Sequence, residues 1–149
     1  MKRLRAFIFC FLLLSLASLL GACGENTGGS SSTTTPTTAA PQEVRIAMGE
    51  MYINSSITTF KVNQSYKLVI TNEGKAVHEF VIAPLHKAGQ DHEDMDKVAL
   101  LHEDGLDGGQ SKTVGFTFKQ PAPAGTLEIE CSYPGHYEHG MHIPIVVEQ

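Results

Sequence analysis

The sequence predicts an all-β domain, a sandwich or barrel, over Glu43–Gln149, interrupted by one long insertion that holds a short helix. Three observations carry that expectation. Apolar residues alternate with period two in segment after segment, which marks half-buried strands. Turn-forming clusters fall between those segments. One stretch alone obeys neither rule.

The rows follow in chain order. Val44, Ile46 and Met48 share a face, as do Tyr66, Leu68 and Ile70. His78, Phe80 and Ile82 form a third row, and Val114, Phe116 and Phe118 a fourth. Leu127, Ile129 and Cys131 form another, with Glu128 and Glu130 pointing the opposite way. Met141, Ile143, Ile145 and Val147 close the chain. Turns are signalled at Asn63-Gln64-Ser65, Asn72-Glu73-Gly74, Gly108-Gly109 and Pro121 to Gly125. Short strands so spaced favour a sandwich or barrel. Pro84 to Ser111 is the exception, too long for a plain loop in a compact domain. Within it, Asp91–Leu101 opens with acids and spaces Met95, Val98 and Leu101 by three. That predicts a short helix with its acids at the positive end of the dipole.

The amino terminus obeys different rules. Lys2, Arg3 and Arg5 precede the uncharged run from Ala6 to Leu20, the layout of an export signal. The run is short for a membrane span, which needs about 20 apolar residues. Leu20-Gly21-Ala22-Cys23 resembles the lipobox of bacterial lipoproteins, in which the cysteine is lipidated and becomes the first residue after cleavage. An ordinary signal cut nearby would leave Cys23 incidental. A diacylated cysteine anchors stably because it carries more than one chain. Gly24–Gln42 follows with no large apolar side chain; it reads as a flexible tether. The resulting organisation is a signal over 1–22, a lipidated cysteine and tether over 23–42, and a folded domain over 43–149.

The chain carries −5 overall, but the segment before Cys23 holds three bases and no acid, so the remainder is more acidic than the total suggests. Affinity for nucleic acid rests on neutralising phosphates, so that class is excluded. Cys10 leaves with the signal, and Cys23 is the cysteine expected to be lipidated. Cys131 is then the lone thiol of an exported domain, exposed to oxidation unless something employs it.

The run Cys131-Ser-Tyr-Pro-Gly-His136-Tyr-Glu-His-Gly-Met141 spaces Cys, His and Met by five and five. Thiolate, imidazole and thioether are the soft and borderline donors that copper prefers. Pro134-Gly135 turns the chain so that His136 folds back beside Cys131, and Gly140 returns Met141. A fourth ligand must come from elsewhere, and His78, at the start of its apolar row, is the best candidate. His139 and His142 offer a rival, zinc-type set with Cys131 and His136, but that set leaves Met141 and His78 unused.

Cys-x4-His-x4-Met with Pro-Gly before the histidine, and an upstream histidine after an Asn-Glu-Gly turn, resembles the cupredoxins, the blue-copper proteins such as plastocyanin, azurin and rusticyanin. His-Glu-Phe-Val-Ile and Pro-Gly-His-Tyr-Glu-x-Gly-Met are closer still to small periplasmic cupredoxins of copper tolerance. The resemblance covers nearly all of the domain and implies a Greek-key β-sandwich with one type 1 copper ion. It implies His78, Cys131 and His136 as trigonal ligands and Met141 as the long axial one. Two departures stand out. Ile143-Pro144 follows where many relatives have a glycine, so an edge or bulge is expected there. Glu79 follows His78 where azurin-type sites often carry a small polar residue.

The function expected from the resemblance is single-electron transport by a membrane-tethered domain in the bacterial envelope, on its periplasmic or extracellular face. The electron port would be His136, flanked by Tyr133, Pro134 and Tyr137. Its partner would be a transient redox protein such as a cytochrome or oxidase, met by a monomer. The alternative is copper binding or sequestration for tolerance or delivery. No enzyme is expected: the loop lacks the second cysteine of a binuclear copper centre, and the chain lacks a nucleophile turn. His86, His92, Met95 and His102 read as scattered side chains of a solvated acidic loop; a weaker second copper site is the other possibility.

Overall fold

The computed structural model describes residues 39–87, 90 and 92–149, and all their side chains but those of His92 and Asp96. The export signal, Cys23 and most of the tether lie outside the described residues. Alternating apolar residues lay down two facing sheets. β1 (Gln42–Gly49) is paired by β2 (Tyr52–Ser55) on one side and by β4 (Tyr66–Asn72) on the other, and β7 (Ser111–Phe116) completes a four-stranded sheet. The second sheet has five strands in the order β3 (Thr59–Lys61), β9 (His142–Glu148), β8 (Ala122–Glu130), β5 (His78–Pro84), β6 (Leu101–Leu106). β1 runs parallel to β4 and β3 parallel to β9; the other pairs are antiparallel. This is the expected all-β sandwich.

The inner faces hold the core the alternation predicts. Val44, Ile46, Met48, Leu68 and Ile70 from one sheet meet Phe80, Ile82, Ile129 and Ile145 from the other. Each such side chain, fully buried, contributes about 1.5–3 kcal/mol. Phe60, Tyr66 and Phe118 close one end, with ring centroids 5.0 Å apart for Phe60–Tyr66 and 5.1 Å for Phe60–Phe118. The Tyr66 hydroxyl accepts the Lys61 N–H at 2.7 Å, so its polar tip is satisfied at that end of the sandwich.

The insertion departs from expectation. The helix, α1, spans His92–Val98 and stops short of Leu101. The Leu100 N–H turns instead to the Ile82 carbonyl at 2.7 Å, handing the chain to β6. β6 reads Leu-His-Glu-Asp-Gly-Leu and lacks alternation because it is an edge strand, with only Leu101 and Leu106 reaching the core. Nor is the insertion a solvated loop. Met95 is buried against Val81 and Ala83, on the outer face of the five-stranded sheet. That cover also encloses Glu128 and Glu130, which are 2% and 0% exposed although they point away from the core.

Two smaller departures concern β8 and β9. Pro121 to Gly125 is not a simple turn: β8 begins at Ala122, and its register shifts between Ala122 and Leu127, with Gly125 at φ 78. Pro144 pairs with Glu128 of β8, while β3 joins β9 only from Val146 onward, so the proline occupies a local edge as expected.

If the insertion is packed structure, Met95→Ala should cost about 2 kcal/mol, the low end for truncating a buried methionine. Urea unfolding of the variant measures this; an unchanged midpoint would return the insertion to a solvated loop.

Candidate metal centre

The proposed donors lie where the sequence puts them, at the ends of neighbouring strands. β5 opens with His78 and β8 ends at Glu130, immediately before Cys131. The two strands pair with Val81 opposite Glu130 and Ile82 opposite Ile129, which carries His78 and Cys131 to the same rim. The loop that follows bends at Gly135 (φ 84) and Gly140 (φ 96), where side chains are strained. Backbone bonds close it: Met141 N–H donates to the His136 carbonyl at 3.1 Å, and Cys131 N–H to the Met141 carbonyl at 3.0 Å. His136 and Met141 are thereby folded back over Cys131.

Three donor atoms converge. His78 Nδ1 and His136 Nδ1 are 3.1 Å apart, Cys131 Sγ lies 3.4 Å from His136 Nδ1, and all three fall within 4.8 Å of one another. Nitrogen and sulfur ligands about 2.0–2.3 Å from one ion in a trigonal plane sit about 3.5–3.7 Å apart. The two separations that involve His136 are thus within a few tenths of an ångström of ligating geometry. His78 and Cys131 are wholly buried, and Met141 is buried beside them in the same core. Burial lowers the pKa of both histidines, with His136 a further cause at His78, so each imidazole is held neutral and able to ligate. Burial pushes the Cys131 thiol up, partly opposed by the backbone N–H groups of Glu79 and Tyr133. The Glu79 N–H donates to Sγ at 3.4 Å. A dication among these three donors would offset that desolvation, and the donor set fits one.

The other candidates are sorted just as clearly. His139 Nδ1 faces the Gly135 carbonyl at 2.5 Å and His142 Nδ1 faces Glu128 Oε2 at 3.2 Å, so the zinc-type set with Cys131 is not assembled. Met95 is core, His86 Nε2 faces the Gln90 carbonyl at 3.1 Å, and His102 lies on β6 near Asp104. These three do not gather into one site, and the His92 side chain is outside the described residues. Around His136, Tyr133 is exposed and its ring lies 4.9 Å from that of His136. Tyr137 turns inward instead, between His86 and His142 at 4.3 Å from each.

Supporting residues escaped the sequence reading. Glu128 accepts the His86 N–H at 2.7 Å and the Tyr137 hydroxyl at 3.1 Å, besides its contact with His142. One buried carboxylate therefore joins the insertion to the residues that follow His136 and Met141. Beside it Glu130 is raised by burial, against the pull of His86, whose Nδ1 is 3.5 Å away. Before His78, buried Asn72 donates to the carbonyls of Ala76 at 2.7 Å and Leu106 at 2.8 Å. Glu50 accepts the N–H groups of Lys75 and Ala76, both at 2.6 Å. Most of these contacts pair residues 25 or more apart in sequence and leave no local signature.

Comparison with known proteins agrees with this geometry. The fold is that of the cupredoxins, and the His78–Cys131–His136 cluster with buried Met141 matches a type 1 copper site. No family model matches the chain. Auracyanin of Roseiflexus castenholzii superposes with a TM-score of 0.57 at 23% identity, covering 73% of this chain and 98% of its own. Auracyanin A of Chloroflexus aurantiacus, described as a "blue" copper protein, gives 0.54 at 17% identity, over 72% of this chain and 99% of that one. An azurin of Methylomonas sp. strain J gives 0.52 at 18% identity, over 74% of this chain and all of that one, 100%. In sequence, the copper-resistant cuproprotein CopI of Pseudomonas aeruginosa is 25% identical, across 68% of this chain and 74% of its own length.

Glu50 yields a prediction with a definite sign. Its two backbone donors lower its pKa from 4.5 to about 2. A depressed carboxyl stabilises the fold fully above its unfolded value, and that contribution is lost as pH falls through about 2. Glu50→Ala should therefore lower stability at neutral pH and flatten its decline between about pH 4.5 and 2. Urea midpoints across that range check it; parallel curves for variant and parent would refute it.

Proposed function

We propose that this domain holds one copper ion through His78, Cys131, His136 and Met141 and carries single electrons between redox partners of the cell envelope. The observation that supports it most is the convergence of two imidazoles and a thiol, already near ligating distances, at the rim of a rigid sandwich. Copper would supply the Cu(I)/Cu(II) couple. The chain's own part is to fix the donors. β5 and β8 hold His78 and Cys131, while the loop's two backbone bonds hold His136 and Met141. Donors that barely move between oxidation states keep reorganisation small. Met141, as a weak thioether donor, would tune the potential, as would the Glu79 N–H at the sulfur.

His136 is 8% exposed, and its Nδ1 faces that of His78. Tyr133 and Pro134 rim it. A cleft of about 420 Å³ beside the loop carries Glu93 and Glu138, an acidic border suited to steering a basic partner. Contact with such a partner would be small and brief. A copper-tolerance role with the same four ligands is the second reading, favoured by the similarity to a copper-resistant cuproprotein. Neither reading needs a substrate, and we assign no catalysis. Export, lipidation at Cys23 and tethering to the membrane complete the proposal.

One equivalent of Cu(II) should give an intense thiolate-to-copper absorption band and a type 1 EPR signal, both abolished in Cys131→Ser. A colourless wild-type protein would sink the copper centre. Reversible one-electron cycling of the loaded protein, with the band lost and regained without loss of metal, is expected of a carrier; a protein that holds its copper tightly but does not cycle would favour sequestration.

Tethering has its own test. Labelled fatty acid fed to a bacterial host should enter the chain and hold it in the membrane fraction, and Cys23→Ser should do neither. Labelling of Cys23→Ser at the wild-type level would remove the anchor.

A further inference from the structure

A second set of donors lies on the opposite, outer face of the five-stranded sheet. Val81 pairs with His102 and Phe80 with Glu103, so the alternation of β6 puts His102 and Asp104 on the same side as Glu79. His102 Nε2 lies 3.2 Å from Asp104 Oδ1 and 3.8 Å from Glu79 Oε2. One donor atom from each residue falls within 4.8 Å of the others. We propose that Glu79, His102 and Asp104 form a second metal site, for a borderline divalent ion of the Cu(II) or Zn(II) class.

Geometry and donor type both lead there. Imidazole nitrogen and carboxylate oxygen bind such ions at about 2.0–2.2 Å, so neighbouring donors of one ion lie about 2.8–3.6 Å apart. The His102–Asp104 separation already meets this, and the Glu79 oxygen lies a few tenths of an ångström beyond it from His102. One imidazole with two carboxylates suits Cu(II) or Zn(II), and the Irving–Williams order puts Cu(II) ahead. It does not suit Cu(I), which favours the thiolate and thioether of the first site. The three side chains also grade outward. Glu79 is buried and oriented by the Ser132 hydroxyl, which donates to its Oε2 at 2.8 Å. The His102 side chain is 16% exposed and that of Asp104 is 85% exposed, so an ion can enter from solvent. Glu79 would serve both centres, its backbone N–H on Cys131 Sγ and its carboxylate on the second ion.

The test starts from the full chain with its first equivalent of copper bound, to which further Cu(II) is added. A second, non-blue EPR signal with nitrogen coupling from one imidazole should appear, and only a large excess of Zn(II) should displace it. His102→Ala should abolish it while leaving the thiolate band intact, which also reports a folded protein. Should that variant fail to fold, Asp104→Asn, changed at an exposed position, should weaken second-ion binding at least about tenfold, since loss of even an outer-sphere partner costs about 10–100-fold. No second signal, a signal unchanged in these variants, or one removed by His139→Ala would each overturn the site. The proposal does not rest on the first centre. A second signal without any thiolate band would sink the type 1 reading and leave this one standing; the reverse would sink this one alone.

Discussion

The register of β5 against β8, with Val81 opposite Glu130, is the constraint on which the metal centre depends. It sets the start of one strand beside the end of the other and so joins His78 to Cys131, which the chain itself holds far apart. A slip of one residue would reverse every side chain on the shifted strand. His78 would move to the outer face and Glu79 into the core. The apolar rows forbid that: Phe80 and Ile82, with Leu127 and Ile129, are all buried in one cluster. Core packing and metal geometry therefore select the same register. The energy that positions the donors is the ordinary hydrophobic energy of the sandwich, present before any ion arrives.

The outer face of the same sheet carries an opposite problem. Glu128 and Glu130 sit on β8 without water, and a buried carboxylate is costly unless paired or hydrogen-bonded. The insertion resolves much of it. His86 brings a backbone N–H to Glu128 and its imidazole towards Glu130, and Tyr137 and His142 add two further contacts to Glu128. The stretch that covers the sheet is thereby tied to the loop that bears His136 and Met141. Removing it would expose apolar Val81 and Ala83 and also loosen the ligand loop.

Most of the inner structure was legible in the sequence because period-two alternation reports burial on one face, and the ligand spacing reports the loop. Phe80, Ile129 and Ile145 needed nothing more. What escaped lies where one of those signals fails. β6 has no alternation because its middle residues contribute little to the core, so Leu101 read as the end of a helix. Glu128 and Glu130 read as solvent-facing because strand parity distinguishes the two faces of a sheet but cannot tell whether the outer one is covered. Glu50, Asn72 and Glu128 support the centre through partners 4 to 42 residues away, and no local pattern encodes such pairs. His86 and His102 stand in one insertion, and the sequence alone does not separate their roles. β6 carries His102 back across the sheet towards Glu79, away from His86.

Glu79 follows from the same geometry. Because strand residues alternate, the residue after a ligand must face away from the ligand's side. Its backbone nevertheless remains within reach of the sulfur, as the 3.4 Å contact from its N–H shows. Its side chain is delivered to Ser132 and His102 on the far face. A small polar residue at this position would retain the sulfur contact and forgo the carboxylate. Any charge gathered at that carboxylate would act on the Cys131 thiolate through a short, largely buried path, where screening by solvent is weak. The side chain at position 79 is thus a means of coupling the environment of one face to the electronic balance of the other, without altering a ligand.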